Sequence, residues 1–183
     1  MIYTLKNCRD GEIGKYNTTL SIAENQEGEL CFHFEAESCQ YYCPEKGYNK
    51  IHSRGDAVEL LIGSDVQRKV YYEIELNPNG ELMIAKMTYQ GVDENGKAIL
   101  NIQFEEECFV RSDVKKTKNG YIAELRFHKN KIMTGDGDIF FNAYRLETDG
   151  GEMEKHLLAL IPTMCGRFHE PQYYVYLKNY LTV

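Results

Sequence analysis

The sequence predicts an all-β protein, a sandwich or barrel of antiparallel sheets with one or two short helical turns. Three observations predict it. Apolar residues recur at every second position through most of the chain, which is the period of a strand with one buried face. Pairs such as Asn-Gly and Asp-Gly separate these runs and suit tight reversals. Fourteen Tyr and eight Phe add rings that pack well on pleated surfaces.

In chain order, strands are expected first at 2–5, 18–23 and 29–36. In the third, Leu30, Phe32 and Phe34 point one way and Glu29, Cys31, His33 and Glu35 the other. Strands at 57–62 and 70–76 follow, and in the second of these Tyr72, Ile74 and Leu76 alternate with Glu73 and Glu75. Asn77-Pro78-Asn79-Gly80 reverses the chain into a strand at 81–89, after which Glu94-Asn95-Gly96-Lys97 marks a tight hairpin. Strands are expected at 104–111 and 121–127, divided by Lys118-Asn119-Gly120. In 121–127, Tyr121, Ala123, Leu125 and Phe127 share a face opposite Glu124 and Arg126. The last strands fall at 139–146, 157–161 and 173–181, with Thr148-Asp149-Gly150-Gly151 as a turn. Helical turns are expected near 127–133 and 151–156. No repeat, low-complexity tract or Pro- or Ser-rich linker divides the chain, so 1–183 reads as one domain of ordinary size.

Composition narrows the function. The formal charge of −7 argues against nucleic acid and anionic membranes, which attract basic patches. No apolar run has the length of a membrane span. The start, Met1-Ile2-Tyr3-Thr4-Leu5-Lys6, lacks a basic segment followed by an apolar one. That points to the cytoplasm, or to an extracellular place if a leader was removed. Cys8, Cys31, Cys39, Cys43, Cys108 and Cys165 are scattered and read mostly as free thiols. Cys39 and Cys43 form a C-x3-C pair that would need His33 or His52 to hold zinc; the alternative is small apolar residues on a strand.

No nucleophile elbow, Walker loop, dinucleotide fingerprint or H-E-x-x-H motif is present, and the five histidines never fall at metal-ligand spacing in sequence. Glu105-Glu106-Glu107 reads as a solvated acidic run. Thr134-Gly135-Asp136-Gly137-Asp138 offers two carboxylates in a Gly-rich loop, so Asp136 and Asp138 are candidate calcium ligands, against a plain turn.

Several segments taken together resemble a known family. Gly55-Asp56-Ala57-Val58-Glu59-Leu60-Leu61-Ile62 is similar to the D-x-V-E strand of family 9 carbohydrate-binding modules. Tyr71-Tyr72-Glu73-Ile74-Glu75-Leu76-Asn77-Pro78-Asn79-Gly80 resembles their next strand. Phe141-Asn142-Ala143-Tyr144-Arg145, then Leu158-Ala159-Leu160-Ile161-Pro162-Thr163 and Phe168-His169-Glu170-Pro171, resemble the C-terminal motifs. Order and spacing agree over about residues 50–180. The resemblance to this group, related to DOMON domains, implies a jelly-roll-like β-sandwich that binds sugar without catalysis. Family 9 modules that bind sugar ends grip them between two tryptophans. This chain has no Trp, and Leu160 stands at one such position. Tyr71, Tyr144, Tyr173 and Tyr174 are the tyrosines available to stack on a sugar face.

Arg145 leads the candidate ligand-binding residues. An Arg in an apolar strand needs a partner, and its fork suits adjacent hydroxyls; the alternative is an ion pair with Glu59 or Glu75. Alternation places Asn142 and Tyr144 on the opposite face unless a bulge intervenes. Glu59 and Glu75 are candidate hydroxyl acceptors or parts of a solvated face. Tyr71 is a candidate platform, and His169 either caps a pocket or anchors the last strand.

Three functions follow. The first is a non-catalytic module recognising a mono- or oligosaccharide. The second is a DOMON-like domain for a non-sugar small ligand or a protein partner. The third is an accessory domain of a glycoside hydrolase or a sandwich hydrolase, whose test is loss of turnover in Glu75→Gln. Partners expected are a carbohydrate and a second copy of the chain in a homodimer, with no nucleic acid and no membrane. Calcium is the one cofactor expected, if any.

Overall fold

The computed structural model describes residues 1–52, 54–151 and 156–181. Among them lie thirteen strands: β1 (Ile2–Thr4), β2 (Lys6–Asn7), β3 (Thr18–Glu24), β4 (Glu29–Glu37), β5 (Ala57–Gly63), β6 (Val70–Leu76), β7 (Leu82–Val92), β8 (Ala98–Phe104), β9 (Arg111–Thr117), β10 (Gly120–His128), β11 (Phe140–Glu147), β12 (His156–Ala159) and β13 (Val175–Tyr176). Their helical content is three single turns of 3-10 helix, at Lys129–Ile132, Pro171–Tyr173 and Leu177–Asn179. The first of these answers the turn expected near 127–133. The turn expected at 151–156 falls largely on 152–155, outside the described residues.

The strands form two antiparallel sheets. One has the order β1-β3-β4-β10-β9; the other has β2-β12-β11-β5-β6-β7-β8, with β13 beside β11. Alternation sets which residues meet between them. Leu30 pairs with Phe127, Phe32 with Leu125 and Phe34 with Ala123 across β4 and β10. These side chains face Val58, Leu60, Ile62, Ile74, Leu76 and Phe141 from the second sheet. Phe32 stacks on Phe127 at 5.8 Å and meets Phe141 at 5.9 Å between ring centroids, so one ring ties both layers. The fold is all-β, as expected.

The structure departs from the expected strands in two places. The strand expected at 104–111 does not form. Phe104 ends β8, Arg111 begins β9, and residues 105–110 cross from one sheet to the other. β8 and β9 are edge strands, exposed along most of their length, and an edge open to water imposes no apolar alternation on its sequence. The stretch expected at 173–181 is likewise a two-residue strand between two 3-10 turns, since only Val175 and Tyr176 pair with β11.

The second sheet is also buried on its other face. A satellite cluster of Leu61, Tyr71, Met83, Ala85, Met87, Phe140 and Tyr144 lies there beneath Cys8, Ile51, Phe168 and Tyr174. Glu59, Glu73 and Glu75, which alternation assigns to a solvated face, are therefore only 2, 2 and 1 % exposed. Three connections make this cover: the start of the one after β2, the one before β5 and the one after β12.

Candidate functional site

The cover is stitched down by polar residues of the sheet beneath it. Asn142 donates from Nδ2 to the Ile161 carbonyl at 2.9 Å and accepts from Ile161 N at 3.1 Å. Tyr144 donates to the Phe168 carbonyl at 2.9 Å, and its ring stacks on Phe168 with centroids 4.1 Å apart. Cys8 Sγ and Thr163 Oγ1 lie 3.0 Å apart, and Thr163 Oγ1 donates to the Arg167 carbonyl at 2.6 Å. Asn142 and Tyr144 are fully buried and position the segment that carries Arg167 and His169.

That segment, the connection before β5 and the β7–β8 hairpin enclose a cleft of about 450 Å³. His52, His169, Arg167 and Lys97 supply its polar wall; Ala98, Leu100 and Ile102 supply an apolar strip. Arg167 Nε donates to Glu170 Oε1 at 2.9 Å. Its guanidinium packs on the hairpin turn at Gly96, where φ is +72° and a Cβ would stand 2.9 Å from Nη1. The Asn-Gly turn thus supplies the reversal and leaves room for the guanidinium.

Beneath the imidazoles the sheet places three glutamates. Glu59 pairs with Glu75 across β5 and β6, and Glu73 lies two residues along the same face. His52 Nδ1 is 3.5 Å from Glu73 Oε1 and 3.4 Å from Glu75 Oε1. His169 Nε2 is 3.7 Å from Glu73 Oε2, and its Nδ1 is 3.0 Å from Tyr71 Oη. Bonding to the two carboxylates raises the His52 pKa. Burial, and then the charge on His52, push His169 down to about 4, so that ring is neutral near pH 7. Burial raises Glu73, and for Glu59 burial combines with the neighbouring carboxylates to raise it well above the usual range.

The expected site residues divide. Of the seven, His169 alone lines the cleft. Arg145 requires correction. It is 0 % exposed and points between the sheets, as the neighbour of inward-facing Val58. There its Nη2 lies 3.3 Å from Asp56 Oδ1 and its guanidinium sits 4.9 Å over the Tyr121 ring. Its partner is Asp56, not Glu59 or Glu75, because those carboxyls occupy the other face. Tyr71 and Tyr144 are buried rather than open platforms, as is Tyr174. Leu160 packs in the inter-sheet core. Asp136 and Asp138 are exposed, and Asp138 is paired with Lys178 at 2.7 Å. Cys39 and Cys43 are free thiols, and neither belongs to a group of three potential metal ligands among the described residues.

Sequence reasoning missed Lys97, Arg167 and the strip on β8, and it weighed His52 only as a partner for cysteines. The one available signal was the Asn95-Gly96 hairpin, which brings Lys97 and β8 back alongside β7 at the edge of the sheet.

Three solved structures are similar over nearly the whole chain. A putative carbohydrate-binding protein from Bacteroides uniformis ATCC 8492 matches with a TM-score of 0.71 at 16 % identity, covering 95 % of this chain and 84 % of that one. A family 9 carbohydrate-binding module from Caldicellulosiruptor kristjanssonii, in complex with glucose, matches at 0.61 and 11 % identity, covering 94 % and 82 %. A family 9 module from the same organism in complex with cellotriose matches at 0.55 and 11 %, covering 91 % and 85 %. The fold is that of a family 9-like carbohydrate-binding module. No protein-family model and no curated protein matches the sequence. The family 9-like sandwich here builds its cleft without tryptophan, from imidazole, guanidinium and aliphatic groups.

Proposed function

We propose that this protein is a non-catalytic carbohydrate-binding module that takes a mono- or oligosaccharide in the cleft over the second sheet. The observation that carries the reading is the two-sided lining of that cleft, within a fold shared with modules solved with glucose and cellotriose. A pyranose has an apolar C–H face and a rim of hydroxyls. Leu100 and Ile102 would receive the face, with the exposed Phe104 ring beside His52 at the margin. Arg167, held by Glu170, and the imidazoles would pair the hydroxyls, which need partners once desolvated. Binding rather than hydrolysis is the role supported, because the three glutamates lie below the cleft wall instead of flanking it. An accessory role beside a glycoside hydrolase is consistent with this reading.

Titration calorimetry with glucose, cellobiose and cellotriose tests it. Saturable heat is expected. Arg167→Ala, at a partly exposed residue, is expected to weaken binding about tenfold or more, the worth of one hydrogen bond from a charged group. No heat from these sugars or from a broad glycan panel, or binding unchanged in Arg167→Ala, would overturn it. The DOMON-like reading, a non-sugar ligand, rests on a different feature. A second cavity of about 410 Å³ is lined by Met133, Ile139, Leu177 and Leu181 together with the polar Glu24, His128, Lys129, Asn130, Asp138 and Lys178, and it suits an amphipathic molecule.

A further inference from the structure

We propose that His52, Glu73 and Glu75, completed by His169, bind one divalent transition-metal ion, best matched by zinc, on the floor of the cleft. The inference does not depend on the carbohydrate reading.

The spacing of the donors is the first argument. Nitrogen and oxygen ligands about 2.0–2.1 Å from a tetrahedral zinc stand about 3.3 Å from one another. His52 Nδ1 is 3.5 and 3.4 Å from the Glu73 and Glu75 oxygens. The three donor atoms lie within 4.8 Å of one another. His169 Nε2 lies outside that group of three but stands 3.7 Å from the other oxygen of Glu73, so it joins as a fourth ligand only if the ring or the carboxylate turns. Tyr71 Oη at 3.0 Å from His169 Nδ1 orients the ring from behind, as hydrogen-bonded partners of ligating histidines do.

The burial of three carboxyl groups is the second argument, and it is independent of spacing. Glu59, Glu73 and Glu75 are all at least 98 % buried on one face. Glu59 Oε1 and Glu73 Oε2 are buried atoms with no hydrogen-bond partner. Carboxyl groups so placed need a proton or a cation, and apart from the two imidazoles the basic side chains nearby, Arg167 and Lys97, stand at the cleft wall. The donor set selects the ion. Two imidazoles with carboxylates suit zinc, cobalt or nickel, whereas calcium and magnesium take shells of oxygen.

The test uses the full chain stripped with a chelator and no sugar present, so its outcome is separate from that of the carbohydrate reading. Zinc titration is expected to give one ion per chain. Cobalt is expected to give visible d–d absorption without a thiolate-to-cobalt charge-transfer band, which separates this site from the six free cysteines. His52→Ala and Glu73→Gln should each weaken zinc binding by about 100-fold, since even the partners behind a ligand are worth roughly 10- to 100-fold. Asp136→Asn/Asp138→Asn should leave it unchanged. Because Glu73 is buried, its variant is checked for folding by circular dichroism. His52 lies at the cleft surface, so His52→Ala decides the matter if Glu73→Gln fails to fold. Absence of stoichiometric binding, a charge-transfer band, or unchanged affinity in His52→Ala would overturn the proposal.

Discussion

Removing the carboxylate of Asp56 should destabilise the protein far more than any surface change, without touching the cleft. Asp56 accepts from Arg145 Nη2 at 3.3 Å, from Thr148 Oγ1 at 2.5 Å and from Tyr42 N at 2.8 Å. Arg145 and Asp56 are both fully buried. Asp56→Ala leaves a guanidinium in the interior without its counter-charge and three further donors, Tyr42 N, Thr148 N and Thr148 Oγ1, without their acceptor. Breaking a buried pair from one side costs about 3–5 kcal/mol. At about 2–4 °C per kcal/mol for a chain of this length, melting should fall by about 6–20 °C. Replacing both partners by apolar groups, Arg145→Met with Asp56→Leu, should cost less than the two single changes together. The assay is thermal melting by circular dichroism, with a glucose titration well below the transition. Arg145 faces the opposite side of β11 from Tyr144 and the cleft, so sugar affinity should persist in folded Arg145→Met. A melting point within about 2 °C of the parent in Asp56→Ala, or loss of sugar binding at unchanged stability in Arg145→Met, would refute the structural assignment of this pair.

Two further outcomes follow from local geometry. Gly55→Ala should lower the melting point and disturb the connection that carries His52. Gly55 has φ of +87°, and a Cβ there would stand 2.3 Å from the Tyr42 carbonyl oxygen; the left-handed conformation alone costs about 1–2 kcal/mol per residue. A variant that melts with the parent would show that the loop is not clamped at this point. Thiol reactivity should be graded: Cys39 and Cys108 are exposed and should react with a disulfide reagent in the native state. Cys8 is buried, with its pKa raised by that burial, and should react only on unfolding. Equal rates at the three sites, followed by peptide mapping, would contradict the packing at Cys8.

Much of the sandwich was legible because its central strands obey one physical constraint. A strand between two others, with a core on one side, must place apolar groups at alternate positions. Leu30, Phe32 and Phe34 on β4 do so, as do Tyr121, Ala123, Leu125 and Phe127 on β10, where Ile122 is the one apolar residue on the outer face. β9 carries Arg111, Lys115 and Lys116 at an edge open to water, where nothing enforces alternation. It was invisible for that reason. The Arg145 face was legible too, since alternation already opposed it to Tyr144. Its partner was not, because Asp56 lies outside β5 and reaches the guanidinium through a turn that only Gly55 permits.

The site is harder to read because period two reports which face a residue occupies and not what covers that face. Glu73 and Glu75 alternate with Ile74 and Leu76 as solvent-facing residues would, and their burial comes from chain segments far away in sequence. His52 precedes the strand pair, His169 follows β12, and each meets Glu73 only after the sheet has formed. Ligand spacing within a sequence therefore finds nothing, although the fold brings the two imidazoles to one carboxylate. The same distance explains the departure at the tryptophan position. With Leu160 in the core and Tyr71 held under His169, the lining of the cleft comes from residues of three separate connections and of β8. Such a cleft depends on the segments that hold those connections down. The positioning residues Asn142 and Tyr144 are therefore where a ligand-binding defect should arise without any contact to the ligand itself.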